Sequence, residues 1–515
     1  MNLIFKFFLL ISILFAKYNG VVLDDRTNLP IEDVNILYKN GGTVSDSDGF
    51  FEFTAPSGSE VIFTHVGYEA LSLIATDSML VRMKMKYILK DEIIITSALS
   101  KEFAENLHSS ISVFKTDDIK KSGNTHIQTL IDRVPNLNWA GGTSRPRYFQ
   151  IRGVGERSHY FGEGAPNFSI GYVLDDIDLS GMGMVGQTFD IGQVEIFHGA
   201  QSTIFGSNAL GGLISLRSND PTQNLEIKSV SSIGTDGLHN LGGIINIPYK
   251  YFSLRFSTFK SYSDGFRYNI VRNLKNTNRR DESINRLKLK FKPNNELSLL
   301  VALFYSNQDN GYDIWAPDNN QEFKTYTDRA GFDSQITKGF SLKSSYKPFP
   351  TIDIINITSL SDIDLEHSYD GDWADSSYWH DNHGFDPLIE YYEYDFYDKN
   401  ERNRKTFTHE LRIKSSNLIS GFYYKILNEK DFAEGYLYGG AANIASGKYD
   451  IENYATYFQY SQNLSSKMKL KTNFRYEISD MKYSGETTDT YYSTIIPSVK
   501  SKLDFEMFGH SIVLD

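Results

Sequence analysis

From about Leu225 to Asp515 the side chains alternate with a period of two. Tyr251–Phe259, Leu297–Tyr305, Phe407–Lys414 and Tyr454–Tyr460 each put apolar or aromatic residues on one face and polar residues on the other. Strands whose faces differ in this way separate two media, and lipid outside with a wet lumen inside is the arrangement of a transmembrane barrel. Strands of a soluble sandwich alternate too. The 33 Tyr and 35 Phe favour the barrel, whose two ends carry aromatic girdles. A mean hydropathy of -0.37 alongside 14% aromatics suits a soluble α/β enzyme poorly. With no Cys there is no disulfide and no thiolate metal site. The formal charge of -12 and the absence of a basic tract argue against nucleic acid as a partner.

The first residues read as an export signal. Lys6 precedes the apolar run Phe7–Ala16, which has the length of a secretory core and is too short to cross a bilayer; cleavage is expected after about Ala16. No other stretch reaches 18 uninterrupted apolar residues, so no transmembrane helix is expected. From Lys17 onward short strands follow at regular spacing: Gly20–Leu23, Val34–Tyr38, Gly49–Phe53 and Val61–Tyr68, divided by turns such as Asp46-Ser47-Asp48-Gly49. They predict a small β-sandwich. His65 is its one histidine, and with no His/Glu zinc set beside it reads as a satisfied strand side chain.

Val194–Phe197 and Leu213–Leu216 are short apolar strands bracketing Gly206, Gly211 and Gly212, the order strand, glycine-rich turn, short helix, strand. The run Gln193–Leu216, Q-V-E-I-F-H-G-A-Q-S-T-I-F-G-S-N-A-L-G-G-L-I-S-L, resembles the end of the plug domain of TonB-dependent outer-membrane receptors, V-E-V-x-R-G-P-x-x-x-x-Y-G-x-x-A-x-G-G-x-I-x-I. Arg133–Leu137 and Phe149–Gly153 match further plug motifs, and Tyr172-Val173-Leu174-Asp175-Asp176-Ile177 stands where the family has V-x-x-D-G-V. The earlier G-V-V-L-D…T-V-S-D-S-D-G-F-F-E-F…V-G-Y-E resembles the carboxypeptidase-regulatory-like domain that precedes many Bacteroidetes receptors, which implies no peptidase activity. Asp91–Ser97 is similar to the D-E-V-V-V-T form of the TonB box; the bland alternative is a last strand of the sandwich. As a box, Glu92, Ile93, Ile94, Ile95 and Thr96 would add as an edge strand to TonB, for which β-branched residues are suited. The expected order is signal peptide (1–16), sandwich (17–88), TonB box and linker (89–100), an α+β plug (101–222) and antiparallel barrel strands (223–515), a mainly β chain.

The resemblance implies a plug lock in which plug arginines pair with barrel glutamates. Here that points to Arg152 and to His198, which replaces the arginine before the first glycine, with Glu410 and Glu477 on recurrent barrel strands; His198 makes a weaker and pH-dependent substitute. The irregular stretches 139–148 and 155–169 correspond to plug loops that touch substrate in the family. Arg145, Arg147, Tyr148, Arg157, His159 and Tyr160 would then meet an anionic ligand, since guanidinium groups bind carboxylate or phosphate by forked hydrogen bonds. The alternative is that the arginines pair with acidic wall residues. The longest stretch without alternation, about Asp362 to Arg404, is dense in acids and aromatics, and Trp373, Tyr378 and Trp379 are candidates for ligand contact or for loop packing. His380, Asp381 and His383 suggest a metal at first sight, but no helical period supports it and no metal or cofactor is expected.

The resemblance implies a receptor that binds a scarce, bulky solute outside the cell and imports it with energy delivered by TonB; no reaction is catalysed. Its partners would be TonB, outer-membrane lipid and an extracellular small molecule or metal chelate, most simply an iron–siderophore complex. Cobalamin, haem or an oligosaccharide is the alternative cargo, and an outer-membrane signalling receptor the alternative role. A secreted hydrolase would need a nucleophile–base or paired-acid arrangement that cannot be assigned here. Residues 225–515 offer roughly a dozen strands at about 9–11 residues each plus turns, against about 22 for large outer-membrane transporters. The sequence also ends without a terminal aromatic residue. The expectation is therefore a truncated receptor with an open, curved sheet beside its plug, since an unclosed edge in lipid leaves backbone groups unpaired.

Overall fold

The structure is a computed structural model. It describes residues 15–514 except 26, 40, 85–93, 96–98, 100–101, 104–109, 124, 141, 160, 162, 184, 203–205, 438–440, 466–467, 487–488 and 508–509. The chain divides into two compact units between Ile93 and Ile94. The first is a sandwich of two sheets, Phe50–Pro56/Phe15–Asp24/Met79–Met83 and Gly41–Val44/Asn35–Tyr38/Glu60–Thr64/Leu71–Ile74. Alternate side chains from both sheets, among them Val22, Ile36, Phe51, Phe63 and Val81, bury completely and form its core. Sequence reading missed the strands at 41–44, 71–74 and 79–83, each of only four or five residues. Most of the expected signal segment, residues 1–14, lies outside the described residues.

In the second unit a five-stranded sheet runs in the order Ser110–Lys115, Ile191–His198, Gly212–Ser218, Ile170–Leu174, Ile177–Asp178. Short helices Thr116–Lys121 and Gln128–Ile131 and a three-stranded sheet built on Phe149–Ile151 pack beside it. Around this α+β body stands a 13-stranded antiparallel sheet from Glu226–Ile233 to His510–Leu514. Its two end strands do not pair with each other among the described residues. Strand Tyr397–Lys414 shows how the sheet works: Asn400, Arg402, Arg404, Thr406 and Thr408 turn inward and are buried, while Leu411 and Ile413 are exposed on the outer face. The inward face is polar because it meets the plug and a wet lumen, and the outward face is apolar because it meets lipid.

The plug is fastened hydrophobically as well. Phe259, Ile284, Phe304, Ile363 and Leu365 of the wall belong to one continuous core with the plug's Ile151, Tyr172, Leu174 and Ile214, and Phe189 of the plug stacks on Phe259 at 5.0 Å.

Strands join at one end through short turns, such as 292–296 and 415–417, and at the other through the long segments 264–279, 312–331 and 371–396. In outer-membrane barrels short turns face the periplasm and long loops the exterior, which orients the molecule. Regular strand continues through Ile352–Asp370 and resumes at Tyr397, so the true loop is 371–396 rather than the wider 362–404 read from the sequence. Along residues 398–404 both faces of the strand are polar, and the hydropathy alternation vanishes there while the geometric alternation persists.

Candidate functional site

Three zones carry the candidate residues: the outer mouth, the seam between plug and wall, and the segment leading into the plug. At the mouth, Trp373 adopts a left-handed backbone (φ 65°) that turns its indole against Trp315; the rings lie 5.9 Å apart at 26°, and the two residues are 37% and 49% exposed. Tyr378 and Trp379 stand on a helix, Ser376–His383, capped by Asp375, whose carboxylate accepts from the Tyr378 amide at 3.0 Å. The expectation that no helix exists at His380 is corrected. A two-turn helix with a weakly amphipathic sequence leaves too short a pattern to read. His380 is exposed and bonds Asp381 at 3.0 Å, and no group of three metal-ligating side chains occurs among the described residues. Tyr378 packs on Tyr326 (4.9 Å) and Trp379 on Tyr394 (4.6 Å). Trp379 thus serves loop packing, while the Trp315–Trp373 pair is the open aromatic face.

Beside it, Asp370 accepts hydrogen bonds from the amides of Asp328, Arg329 and Trp373, and Asp372 from those of Ala374 and Phe396. Burial, and then the neighbouring Asp370, push the Asp328 carboxyl up to about 6. Arg329 is tied to Asp395 by two bonds of 2.9 and 2.6 Å. None of Trp315, Asp328 or Arg329 was singled out from the sequence; loop 312–331 has no pattern to separate ligand contact from packing.

Of the plug-loop candidates, Arg145 and Arg147 are 6% and 3% exposed. Arg145 grips Glu282 through Nε (2.5 Å) and Nη2 (2.8 Å), and Arg147 pairs with Asp333, which also accepts from the Ser144 amide. Their forks are used on the wall, which corrects their assignment to a ligand. The signal was ambiguous because a wall carboxylate 137 residues away in sequence fits the fork as well as a solute does. Tyr148 is buried, stacks on Phe168, and its hydroxyl lies 3.4 Å from the His159 carbonyl. His159 rests edge-on against Phe168 at 5.3 Å. Burial, reinforced by the Arg402 charge, holds its imidazole down to about 4. Arg157 is exposed, and Tyr160 lies outside the described residues.

The four expected lock residues split into two pairs. Arg152 lies beside His198, close enough that a Cβ on Gly199 would sit 3.8 Å from its Nη1, and burial together with the Arg152 charge lowers the His198 pKa. His198 Nε2 is 3.1 Å from Ser112 Oγ. Glu410 and Glu477 are paired within the wall, with Arg412 (2.7 Å) and Arg475 (2.8 Å). The plug reaches the second pair through Gly206, at φ 84°, where a Cβ would come 2.8 Å from Arg475 Nη2 and 3.0 Å from Glu477 Oε2. The plug is clamped elsewhere, by Arg145 and Arg147 on the loop side and, on the turn side, by Asp175, Asp176, Asp178 and Asp190 held by Lys288, Lys343, Lys425 and Arg255. Arg286 adds bonds of 2.6 and 2.8 Å to the carbonyls of Phe189 and Gln187.

In the leading segment, Ile94–Ile95 is extended and pairs antiparallel with Glu102–Phe103. Ile95 is fully buried, Leu99 packs on Ile419 and Tyr457, and the Leu99 carbonyl accepts from Arg412 Nη1 at 2.9 Å. Glu92, Ile93 and Thr96 lie outside the described residues. At Ile94–Ile95 the strand edge is already in use.

A plug packed inside an antiparallel wall and preceded by a β-sandwich matches what comparison with known proteins finds. Residues 104–213 match the TonB-dependent Receptor Plug Domain, and residues 18–96 the CarboxypepD_reg-like domain. These two regions are thus similar to the plug and to the domain that precedes it in TonB-dependent receptors. The chain is 26% identical over 208 residues to the TonB-dependent receptor SusC of Bacteroides thetaiotaomicron, covering 38% of this chain and 20% of that one. In fold it is similar to the ferric yersiniabactin uptake receptor FyuA of Yersinia pestis (TM-score 0.64, 15% identity, 77% of this chain, 61% of that one). It is also similar to the siderophore receptor PiuA of Acinetobacter baumannii (TM-score 0.61, 13% identity, 82% and 66%). The chain thus spans about a fifth of that curated relative and under two thirds of the solved receptors.

Proposed function

We propose that this receptor captures a bulky solute at the aromatic mouth and releases it inward when TonB, pulling on Glu92–Thr96, loosens the plug. The observation that carries the reading is the plug's attachment: a polar seam of ion pairs on two levels, with Leu99 of the leading segment packed against wall residues Ile419, Tyr457 and Arg412. Deleting Glu92–Thr96 should abolish uptake and leave surface binding intact; uptake that survives the deletion would refute TonB coupling.

The cargo reading rests on the mouth. The iron–siderophore expectation has similarity of fold to siderophore receptors behind it, and that similarity is under 25% in sequence. An oligosaccharide has a more specific support here. The open Trp315–Trp373 face suits the C–H faces of sugar rings, and Arg145 and Arg147, which would have met an anionic chelate, are spent on the wall. Uptake by cells expressing the receptor, compared between neutral oligosaccharides and ferric chelates, decides between the two. Trp373→Ala should weaken binding of the accepted cargo roughly fivefold, consistent with an aromatic contact of about 1 kcal/mol, without changing membrane insertion. Failed insertion with intact binding would make the loop structural.

A further inference from the structure

The plug hairpin formed by Ile170–Leu174 and Ile177–Asp178 carries three carboxylates within four residues, and each meets a lysine of a different wall strand. Asp175 Oδ1 lies 2.7 Å from Lys288 Nζ, Asp176 Oδ2 3.1 Å from Lys343 Nζ, and Asp178 Oδ2 2.6 Å from Lys425 Nζ. Asp176 occupies a left-handed backbone position (φ 67°) where the family pattern has glycine, so an unfavourable conformation is kept in exchange for a carboxylate. Beside the hairpin a cavity of about 640 Å³ separates plug from wall on the turn side. Ser215 and Leu213 of the plug line it on one side, and Lys290, Lys347 and Lys414 on the other. These three lysines have no ion-pair partner among the described residues.

We propose that this cavity is the exit passage for the solute and that the Asp175–Asp176–Asp178 hairpin is its gate. The inference rests on the import reading above and adds the route and the moving part. The three pairs sit on one short loop, so they break together when the hairpin withdraws. Withdrawal also leaves Lys343 and Lys425 facing the widened space alongside the three unpaired lysines, while Lys288 keeps Asp220 at 3.2 Å. The opened passage is then lined by these ammonium groups together with the carboxylates of Asp220, Glu296, Asp353 and Glu410, a polar surface that suits a solute rich in hydroxyl groups.

The absence of cysteine makes the test clean. Ser215→Cys places one thiol on the buried plug face of the cavity, and its reaction with a bulky maleimide is followed on the receptor in its outer membrane, with and without inner-membrane energisation. Combining Lys288→Met, Lys343→Met and Lys425→Met should speed labelling at least tenfold without energisation. Asp176→Gly, which relaxes the backbone while removing one pair, should speed it about threefold. The swap Asp176→Lys with Lys343→Asp should return the rate toward that of the parent. Surface abundance and heat-modifiable mobility check that each variant is folded. A parent labelled equally with and without energisation removes the import reading and the gate with it. Energisation-dependent labelling that the lysine and Asp176 variants leave unchanged removes the gate alone.

Discussion

The plug meets the wall with opposite charge at its two levels. On the loop side the plug supplies cations, Arg145 and Arg147, to wall acids Glu282 and Asp333; on the turn side it supplies acids to Lys288, Lys343 and Lys425. Burial differs at one pair. The Arg147 and Asp333 side chains are 3% and 0% exposed, and the turn-side pair Lys288–Asp175 is nearly as buried at 4% and 7%, whereas Lys343 and Asp176 are 26% and 37% exposed. A desolvated, multiply bonded pair loses much when one partner is removed, because the other is left charged without water; a hydrated pair does not. The comparison teaches that the outer seam is desolvated throughout, while the inner seam has a hydrated weak point at Lys343–Asp176.

The largest test of that contrast is Arg147→Met against Lys343→Met. The first should destabilise the receptor by about 3–5 kcal/mol and the second by less than about 1 kcal/mol, read as heat-modifiable mobility or thermal unfolding. Equal losses would erase the distinction. Salt gives a smaller and gentler probe. Raising NaCl from low to high concentration screens exposed pairs, so hydrogen exchange of the 170–178 amides should quicken while that of the 144–147 amides holds. Parallel changes at both levels would mean equal hydration.

A third probe is pH, and the signs differ between levels. His159, near the outer seam, is buried neutral with its pKa held down to about 4, so its contribution is complete above the free-imidazole value of about 6.5 and fades as pH falls from there toward 4. Burial alone would raise Asp178, but the Lys425 charge and hydrogen bond bring it down to about 2. Its contribution is therefore present above about 4 and is lost only as pH falls through about 2. Melting curves should show a loss between pH 6.5 and 4 that His159→Asn removes. The smallest effect is expected in the loops. Asp328, raised to about 6, is stabilising when protonated, below about pH 4, and that contribution is lost as pH rises through 6. Asp328→Asn should therefore tighten the mouth slightly at pH 7, seen as slower proteolysis of segment 312–331; faster cleavage would mean the carboxylate is needed there.

The barrel character was legible because lipid and lumen impose a period of two, and the plug because its glycine turns resemble a family pattern. Long-range pairing was not. Arg145 chooses Glu282 by geometry that only the closed plug creates, and Glu410 and Glu477 take arginines two residues along their own strands, Arg412 and Arg475, which a lock drawn from resemblance passes over. Asp176 was visible as an aspartate where the pattern has glycine. What it grips, Lys343, lies 167 residues further on.

Strand Ile352–Asp370 runs for 19 residues, and its neighbour Tyr397–Lys414 for 18. At about 3.4 Å per residue and a tilt of roughly 40°, such a strand climbs close to 50 Å, whereas the apolar band of an outer-membrane barrel is about 25 Å tall. The wall therefore exceeds the lipid band by about 25 Å, like a chimney. Under the import proposed above, Trp315 and Trp373 would meet a solute there, before it reaches the membrane surface. On that reading capture and passage are separate events in space, the first at the rim and the second at the seam between plug and wall.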